Sequence, residues 1–358
     1  MRAAPTCATG DEKVLAEANI IWRLLAGRPV FVGYNVTNRC NLRCRFCNVP
    51  SLPHPDMTVD QVRVAFDRLA ELGIPVVGIT GGEPFLRPDL PEILEAAESR
   101  GMKVTLVTNG HLLDGGRMAA LARFRNIVHF ALSLDSLDPQ TYRNLRGGKR
   151  HPGGVLADFL RLTREGPRTV YKLNVVVGPH NLDEIDLLLE VASSVGLGVS
   201  FIPMNIGPGG LHRAADFPGL DAITRERIAV RFETLRQAKI LGAPLWDHRD
   251  YYLYSARYMR GETLGDCGAG RYFLDLRSDG RLAFCNEMEH FVSLLEVEKL
   301  SVPLLKRALA EWRERIERCR LAGACCYTCS YNITATAANL PAYVWDYLRF
   351  QARFGGRP

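Results

Sequence analysis

Short apolar or β-branched runs and amphipathic helical stretches alternate along the first two hundred residues. Residues 30–36 (VFVGYNV), 75–80, 102–108, 127–134, 169–177 and 198–204 read as strands that would be covered on both faces. Between them, residues 58–72 put Val62, Ala65, Phe66, Leu69 and Leu72 on one helical face with Thr58 as a cap, and similar stripes occupy about 89–100, 112–124, 154–165 and 182–195. Six strand–helix alternations predict a parallel α/β sheet or partly closed barrel, with functional groups on the loops after each strand's carboxyl end. Residues 11–27 read as an amphipathic helix capping the base. Beyond about residue 205 the alternation stops: 205–210 is a loop, 224–241 a helix, 250–258 (DYYLYSARY) an aromatic-rich core connection, 271–276 and 281–285 a hairpin about Ser278-Asp279-Gly280, and 303–320 a helix with a solvated face carrying Glu311/Arg315 and Glu314/Arg318.

Composition narrows the class. With 358 residues and 47% hydrophobic positions, the chain has ample material for a sizeable core. Its net charge of +6 is dispersed, which argues against dedicated nucleic-acid binding and is compatible with an anionic ligand through Arg143, Lys149, Arg150, Arg164 and Arg168. No stretch reads as a membrane span or secretory signal, so a cytoplasmic location is expected. Ten cysteines in a reducing compartment then point to metal or reactive thiols.

Three of them stand directly after the first strand as Cys40-x3-Cys44-x2-Cys47. Three thiolates on one compact loop can hold three irons of a cubane and leave the fourth iron open, whereas closed structural zinc needs a fourth ligand, and His54 is separated by a proline-containing loop. Further on, Cys267-x12-Gly280-x4-Cys285 is followed by Cys326-Tyr327-Thr328-Cys329, four cysteines in two pairs that suit a closed zinc or iron–sulfur site alike. Cys325 can replace Cys326 in that set. Cys7, Cys319 and Cys325 otherwise read as buried thiols.

The first motif, with Phe46 before its last cysteine, resembles the signature of radical S-adenosylmethionine (SAM) enzymes. Thr80-Gly81-Gly82-Glu83-Pro84 after the second strand resembles that family's Gly-Gly-Glu-Pro element. The resemblance implies a partial (β/α)6 TIM-like barrel, with a SAM-binding 4Fe-4S cluster on Cys40, Cys44 and Cys47 and reductive cleavage of SAM to a 5′-deoxyadenosyl radical. It also implies cofactor contacts at Phe46, Gly81, Gly82, Glu83, Asn109, Ser133 and Arg146, with Glu83 an acceptor for the methionine ammonium. The later cysteines resemble a twitch/SPASM-like extension, which implies an auxiliary 4Fe-4S cluster on Cys267, Cys285, Cys326 and Cys329. The implied divisions are 1–29 (helical cap), 30–240 (barrel), 241–335 (auxiliary-cluster domain) and 336–358 (helical tail).

Function is expected to be hydrogen abstraction from a small-molecule sugar, nucleoside or aminocyclitol intermediate, with an external electron donor such as flavodoxin or ferredoxin. The 39 residues ahead of Cys40 leave little room for a peptide-recognition domain. The alternatives are a maturase acting on a ribosomally made peptide and a non-enzymatic zinc-binding interaction protein. Candidate general bases are His54, His111, Asp135, His151, Glu287, Glu289 and His290.

Overall fold

The computed structural model describes residues 10–52, 55–167, 169–206, 220–262, 264, 267–316 and 331–354. Among the described residues nine strands form one sheet in the order β6-β5-β4-β3-β2-β1-β7-β8-β9. Strands β1 (Phe31–Thr37), β2 (Val76–Gly81), β3 (Lys103–Thr108), β4 (Ile127–Ser133), β5 (Val170–Val177) and β6 (Gly198–Pro203) are parallel. The connecting helices are α2 (Val59–Glu71), α3 (Leu90–Glu98), α4 (Gly115–Leu121), α5 (Pro139–Arg146), α6 (Pro152–Leu162) and α7 (Ile185–Ser194), preceded by α1 (Gly10–Leu25). This is the partial barrel expected from the alternation. The six strands and helices α1, α2, α3, α4, α6 and α7 fall within a few residues of their predicted limits because their apolar periods are unbroken, whereas α5 is not among the predicted helices.

Beyond α8 (Ala222–Ile240), β7 (Phe273–Leu276) pairs in parallel with β1, and β8 (Arg281–Ala283) and β9 (His290–Ser293) continue antiparallel. The hairpin therefore extends the barrel's own sheet at its open edge. Two expectations are corrected here. Residues 250–258 are not a connection but belong to helix α9 (Arg249–Met259), whose Tyr251, Tyr252, Ser255, Ala256, Tyr258 and Met259 make a buried face at helical spacing. The helix expected over 303–320 is interrupted: α10 (Val302–Glu311) ends at Trp312, whose ring packs 5.8 Å from that of Phe284. Arg315 pairs at 3.0 Å with Glu289 and lies 4.7 Å over the Trp312 ring, so its ion-pair partner is across space, not on the same helical face.

Helices α1, α11 (Tyr331–Ala338) and α12 (Leu340–Phe354) each meet chain that leads into a strand, α1 at Leu72 before β2, α11 at Gly268 before β7 and α12 at Gly198 of β6. Arg23 of α1 is buried and donates to the carbonyls of Pro29 and Leu72, while Phe350 of α12 packs against Gly198 at the start of β6. The inner face of the sheet carries Gly33, Asn35, Gly78, Thr80, Thr105, Ala131, Ser133, Asn174 and Ser200. Small side chains there leave the barrel hollow where bulky branched ones would fill it.

Local signals are intact at the helix ends. Thr58 accepts from Gln61 N at 3.3 Å and Gln61 Oε1 accepts from Thr58 N at 2.9 Å, a reciprocal capping box. Thr58→Ala is expected to lower stability by about 1 kcal/mol in urea unfolding with an unchanged m-value. A larger loss would mean that the cap also holds the cysteine loop.

Candidate active site

The cysteine loop leaves β1 and is clamped from two sides. On one side Gly82 N donates to Thr37 O at 2.7 Å and Glu83 N to Arg39 O at 2.9 Å. Gly81 has φ +109°, and a Cβ on Gly82 would lie 1.9 Å from Arg39 O. The two glycines thus admit the cysteine loop's own backbone, a role that the expected cofactor contacts at Gly81 and Gly82 did not include. On the other side Arg43 N and Arg45 N donate to the carbonyls of Arg146 and Leu145 at the end of α5, at 3.3 and 2.8 Å. Thr37 also donates to Asp56 at 2.9 Å, and Arg39 pairs with the same carboxylate at 2.8 Å.

Cys40, Cys44 and Cys47 are half-buried and border one cavity of ≈ 560 Å³ that runs down the barrel. Burial raises all three thiols above the ordinary range, Cys44 to about 12 despite the nearby Arg146. Gly81, Gly82, Asn109, Ser133, Arg146 and Phe46 border the same cavity. Asn109 donates to Asn41 Oδ1 at 2.7 Å and to Cys40 Sγ at 3.8 Å. Glu83 is not in the cavity wall but behind it, accepting from Thr108 Oγ1, Asn109 N and Phe85 N at 2.7, 2.8 and 3.2 Å. Burial pushes its carboxyl up to about 6 while those three donors pull the other way. It ties the end of β2 to the end of β3.

Arg146 is held by Asp135 at 2.7 Å, with side chains 6% and 0% exposed, and lies 5.7 Å from the centre of the Phe46 ring. The other oxygen of Asp135 accepts from Val176 N at 2.8 Å, and Asn181 donates to the Asp135 carbonyl. Asp135, a candidate base, is thus committed to positioning Arg146. His111 bonds Tyr142 at 2.9 Å and His151 caps α6, while His54 lies outside the described residues. None of these, nor Glu287, Glu289 or His290, borders the cavity among its described lining.

Of the second cysteine set, Cys285 is buried and borders the cavity, and Cys267 is half-buried just before β7. Cys326 and Cys329 lie outside the described residues, as do Cys7, Cys319 and Cys325. Residues on either side are nevertheless joined: Tyr331 OH donates to Leu264 O at 3.1 Å, and Gly268 N donates to Thr334 Oγ1 at 3.1 Å. The chain just after the second pair therefore packs on the chain around Cys267.

A family model described as the Radical SAM superfamily matches residues 34–192. A GTP 3′,8-cyclase of Pseudomonas syringae pv. syringae is 31% identical over 279 residues, 75% of this chain and 82% of that one. The chain belongs to the radical SAM superfamily. This radical SAM protein is also 32% identical to a PqqA peptide cyclase of Streptomyces rochei over 235 residues, 63% of its length and 62% of the relative's. An AdoMet-dependent heme synthase of Methanosarcina barkeri is 30% identical over 175 residues, so the chain spans about half of that relative. The fold is similar to that of Streptococcus suis SuiB, solved with its precursor peptide SuiA, with TM-score 0.58 and 16% identity over 84% of this chain and 71% of that one.

Radical SAM enzymes take SAM and a 4Fe-4S cluster, and the donor set fits. Among the described residues no three Cys, His, Asp or Glu converge on one metal ion. Cluster thiolates each bind a different iron, so a cubane asks only that the three sulfurs border one space. That space also presents Asn35 Nδ2 and Asn174 Oδ1, buried and without a hydrogen-bond partner among the described residues, a donor and an acceptor suited to a polar ligand.

What sequence patterns missed lies at the other end of the cavity of this radical SAM protein. Lys172 donates to Ser200 at 3.1 Å, Ser200 to Asp247 at 3.2 Å and Tyr252 to Asp247 at 3.3 Å. Lys239 donates to Leu245 O at 2.5 Å, and His129 meets the Trp246 ring at 4.2 Å. Burial lowers Lys239 to about 8 and His129 to about 3, so the imidazole is neutral. The described charged lining comprises three cations, Arg146, Lys172 and Lys239, and three carboxylates, Asp247, Asp275 and Asp346. The signal was available only as inward positions of single strands, which cannot be told from outward ones until the sheet is closed. No described helix is long and apolar enough to cross a membrane.

Proposed function

We propose that this radical SAM enzyme modifies a peptide. The observation that carries the reading is the similarity to the PqqA peptide cyclase over 63% of the chain, and the cavity's mixed charge, with carboxylates beside the cations, supports it. A nucleoside triphosphate calls for clustered, uncompensated cations. Here Arg146 is neutralised by Asp135, and Lys172 and Lys239 are engaged by Ser200 and Leu245. A cavity of this size with mixed apolar and polar walls suits side chains of a peptide. The similarity to the GTP 3′,8-cyclase over 82% of that relative favours a small-molecule substrate as the second reading.

In this proposal Cys40, Cys44 and Cys47 hold the SAM-binding cluster, and Cys267, Cys285, Cys326 and Cys329 an auxiliary one within a C-terminal cluster domain. When bound, cluster and SAM supply a carbon-centred radical that removes hydrogen from substrate. Phe46 and Arg146 flank the cofactor, Arg146 taking its carboxylate while Asp135 holds the guanidinium in place. The Gly81–Gly82 backbone and Asn109 and Ser133 contact the remaining polar groups, and Glu83 braces that wall from behind. The apolar walls exclude water from the radical.

The test is anaerobic turnover of the reconstituted enzyme with dithionite and SAM. A peptide library is expected to raise 5′-deoxyadenosine formation above the substrate-free rate and to yield a peptide of altered mass, both abolished by Cys44→Ala. Stimulation by GTP, sugars or aminocyclitols but by no peptide would replace this reading with the small-molecule one.

A further inference from the structure

One row of residues in register crosses the sheet: Thr105, Gly78, Gly33, Asp275 and Ala283, from β3, β2, β1, β7 and β8. Residues at one register position stand on the same face. The first four border the cavity, and the only charged one is Asp275. It is 7% exposed.

Its two oxygens differ. Oδ1 is buried without a hydrogen bond among the described residues and faces Arg277 Nε at 3.3 Å, while Arg277 Nη2 is committed to the carbonyls of Asn286 and Met288. Oδ2 stands beside Gly33, 3.4 Å from where a Cβ would be, and has no hydrogen-bond donor among the described residues. The same empty position lies 3.7 Å from Phe31 Cε1. Asp247, by contrast, accepts from Ser200 and Tyr252, and Asp346 pairs with Arg249. Burial has pushed the Asp275 carboxyl up to about 6, as expected of a carboxylate short of partners.

We propose that Asp275, with Gly33 and Phe31 beside it, is a subsite for a primary ammonium or guanidinium group of the ligand that occupies the barrel. The cation donates to Oδ2, and its alkyl stem lies against Phe31 in the space left by the missing Cβ of Gly33. Arg277 stays on Oδ1 and keeps the carboxylate oriented. That the cation belongs to a peptide, as a basic side chain or an α-amine, rests on the function proposed above; the cation subsite itself does not.

The experiment is calorimetric titration of the reconstituted enzyme, under anaerobic conditions, with n-butylammonium, n-butanol and n-butyrate. Butylammonium is expected to bind at least about tenfold more tightly than either, one charge-assisted hydrogen bond's worth. Asp275→Asn should erase the preference. Gly33→Ala, whose methyl fits at van der Waals distance, should weaken butylammonium by a similar factor with iron content and circular dichroism unchanged. Equal binding of the three probes, or an ammonium preference that survives both substitutions, would overturn the proposal. No peptide or turnover is involved, so this outcome and that of the peptide assay are independent.

Discussion

Gly82→Ala is expected to strip most of the iron from the reconstituted protein and to destabilise the fold by about 4 kcal/mol or more, at the extreme of single-residue effects. The added methyl would sit 1.9 Å from Arg39 O and 2.5 Å from its carbonyl carbon, where real Cβ contacts stay beyond 3.0 Å. The obstacle is backbone and cannot rotate away. Relief requires the cysteine loop and the end of β2 to part, breaking Gly82 N to Thr37 O and Glu83 N to Arg39 O, immediately before Cys40. Gly154→Ala is the control: nothing lies within 4 Å of its added methyl, and within α6 it should be neutral or stabilising by up to about 1 kcal/mol. Iron per chain and urea midpoints check both. A Gly82→Ala protein with full iron and an unshifted midpoint would remove the clamp from the account of the site.

The second large effect is expected at Asp135. Asp135→Ala leaves the buried Arg146 guanidinium without its counter-charge and should cost about 3–5 kcal/mol, the usual penalty for breaking a buried pair from one side. One more contact goes with it, since Val176 N loses its acceptor and nothing replaces it in the fully buried site. Adding Arg146→Met should recover part of the loss, because the uncompensated charge is then gone. Urea unfolding of the four chains of this double-mutant cycle measures the coupling. Strict additivity would show that Arg146 finds another anion. SAM affinity should fall in both single variants if Arg146 holds the cofactor carboxylate as proposed.

Much of the barrel was legible because each strand and helix buries a continuous apolar stripe, and a period of two or 3.6 residues is a property of the chain alone. Thr58 is an example where even the capping residue follows from local pattern. The aromatic run of α9 was not legible as a helix, since Tyr251, Tyr252, Leu253 and Tyr254 follow one another and only packing against α8 and α11 decides which face is buried. Likewise Glu83 and Asp135 were recognisable as site residues, but their partners come from other elements: Thr108 and Asn109 at the end of β3 for one, Val176 of β5 and Arg146 of α5 for the other. Long-range hydrogen bonds leave no periodic trace.

Sequence by itself determined the strand–helix alternation of the barrel, the cysteine spacing that points to an iron–sulfur loop, and the Gly-Gly-Glu-Pro turn beside it, because apolar periods, thiolate chemistry and glycine conformations act over a few neighbouring residues. Only the tertiary structure decided that Gly82 makes room for Arg39 and that Glu83 braces the wall from behind. It alone set Asp275 against Gly33, and aligned Lys172, Ser200 and Asp247 at the far end of the cavity. Those placements depend on sheet closure and register, which join residues far apart in the chain.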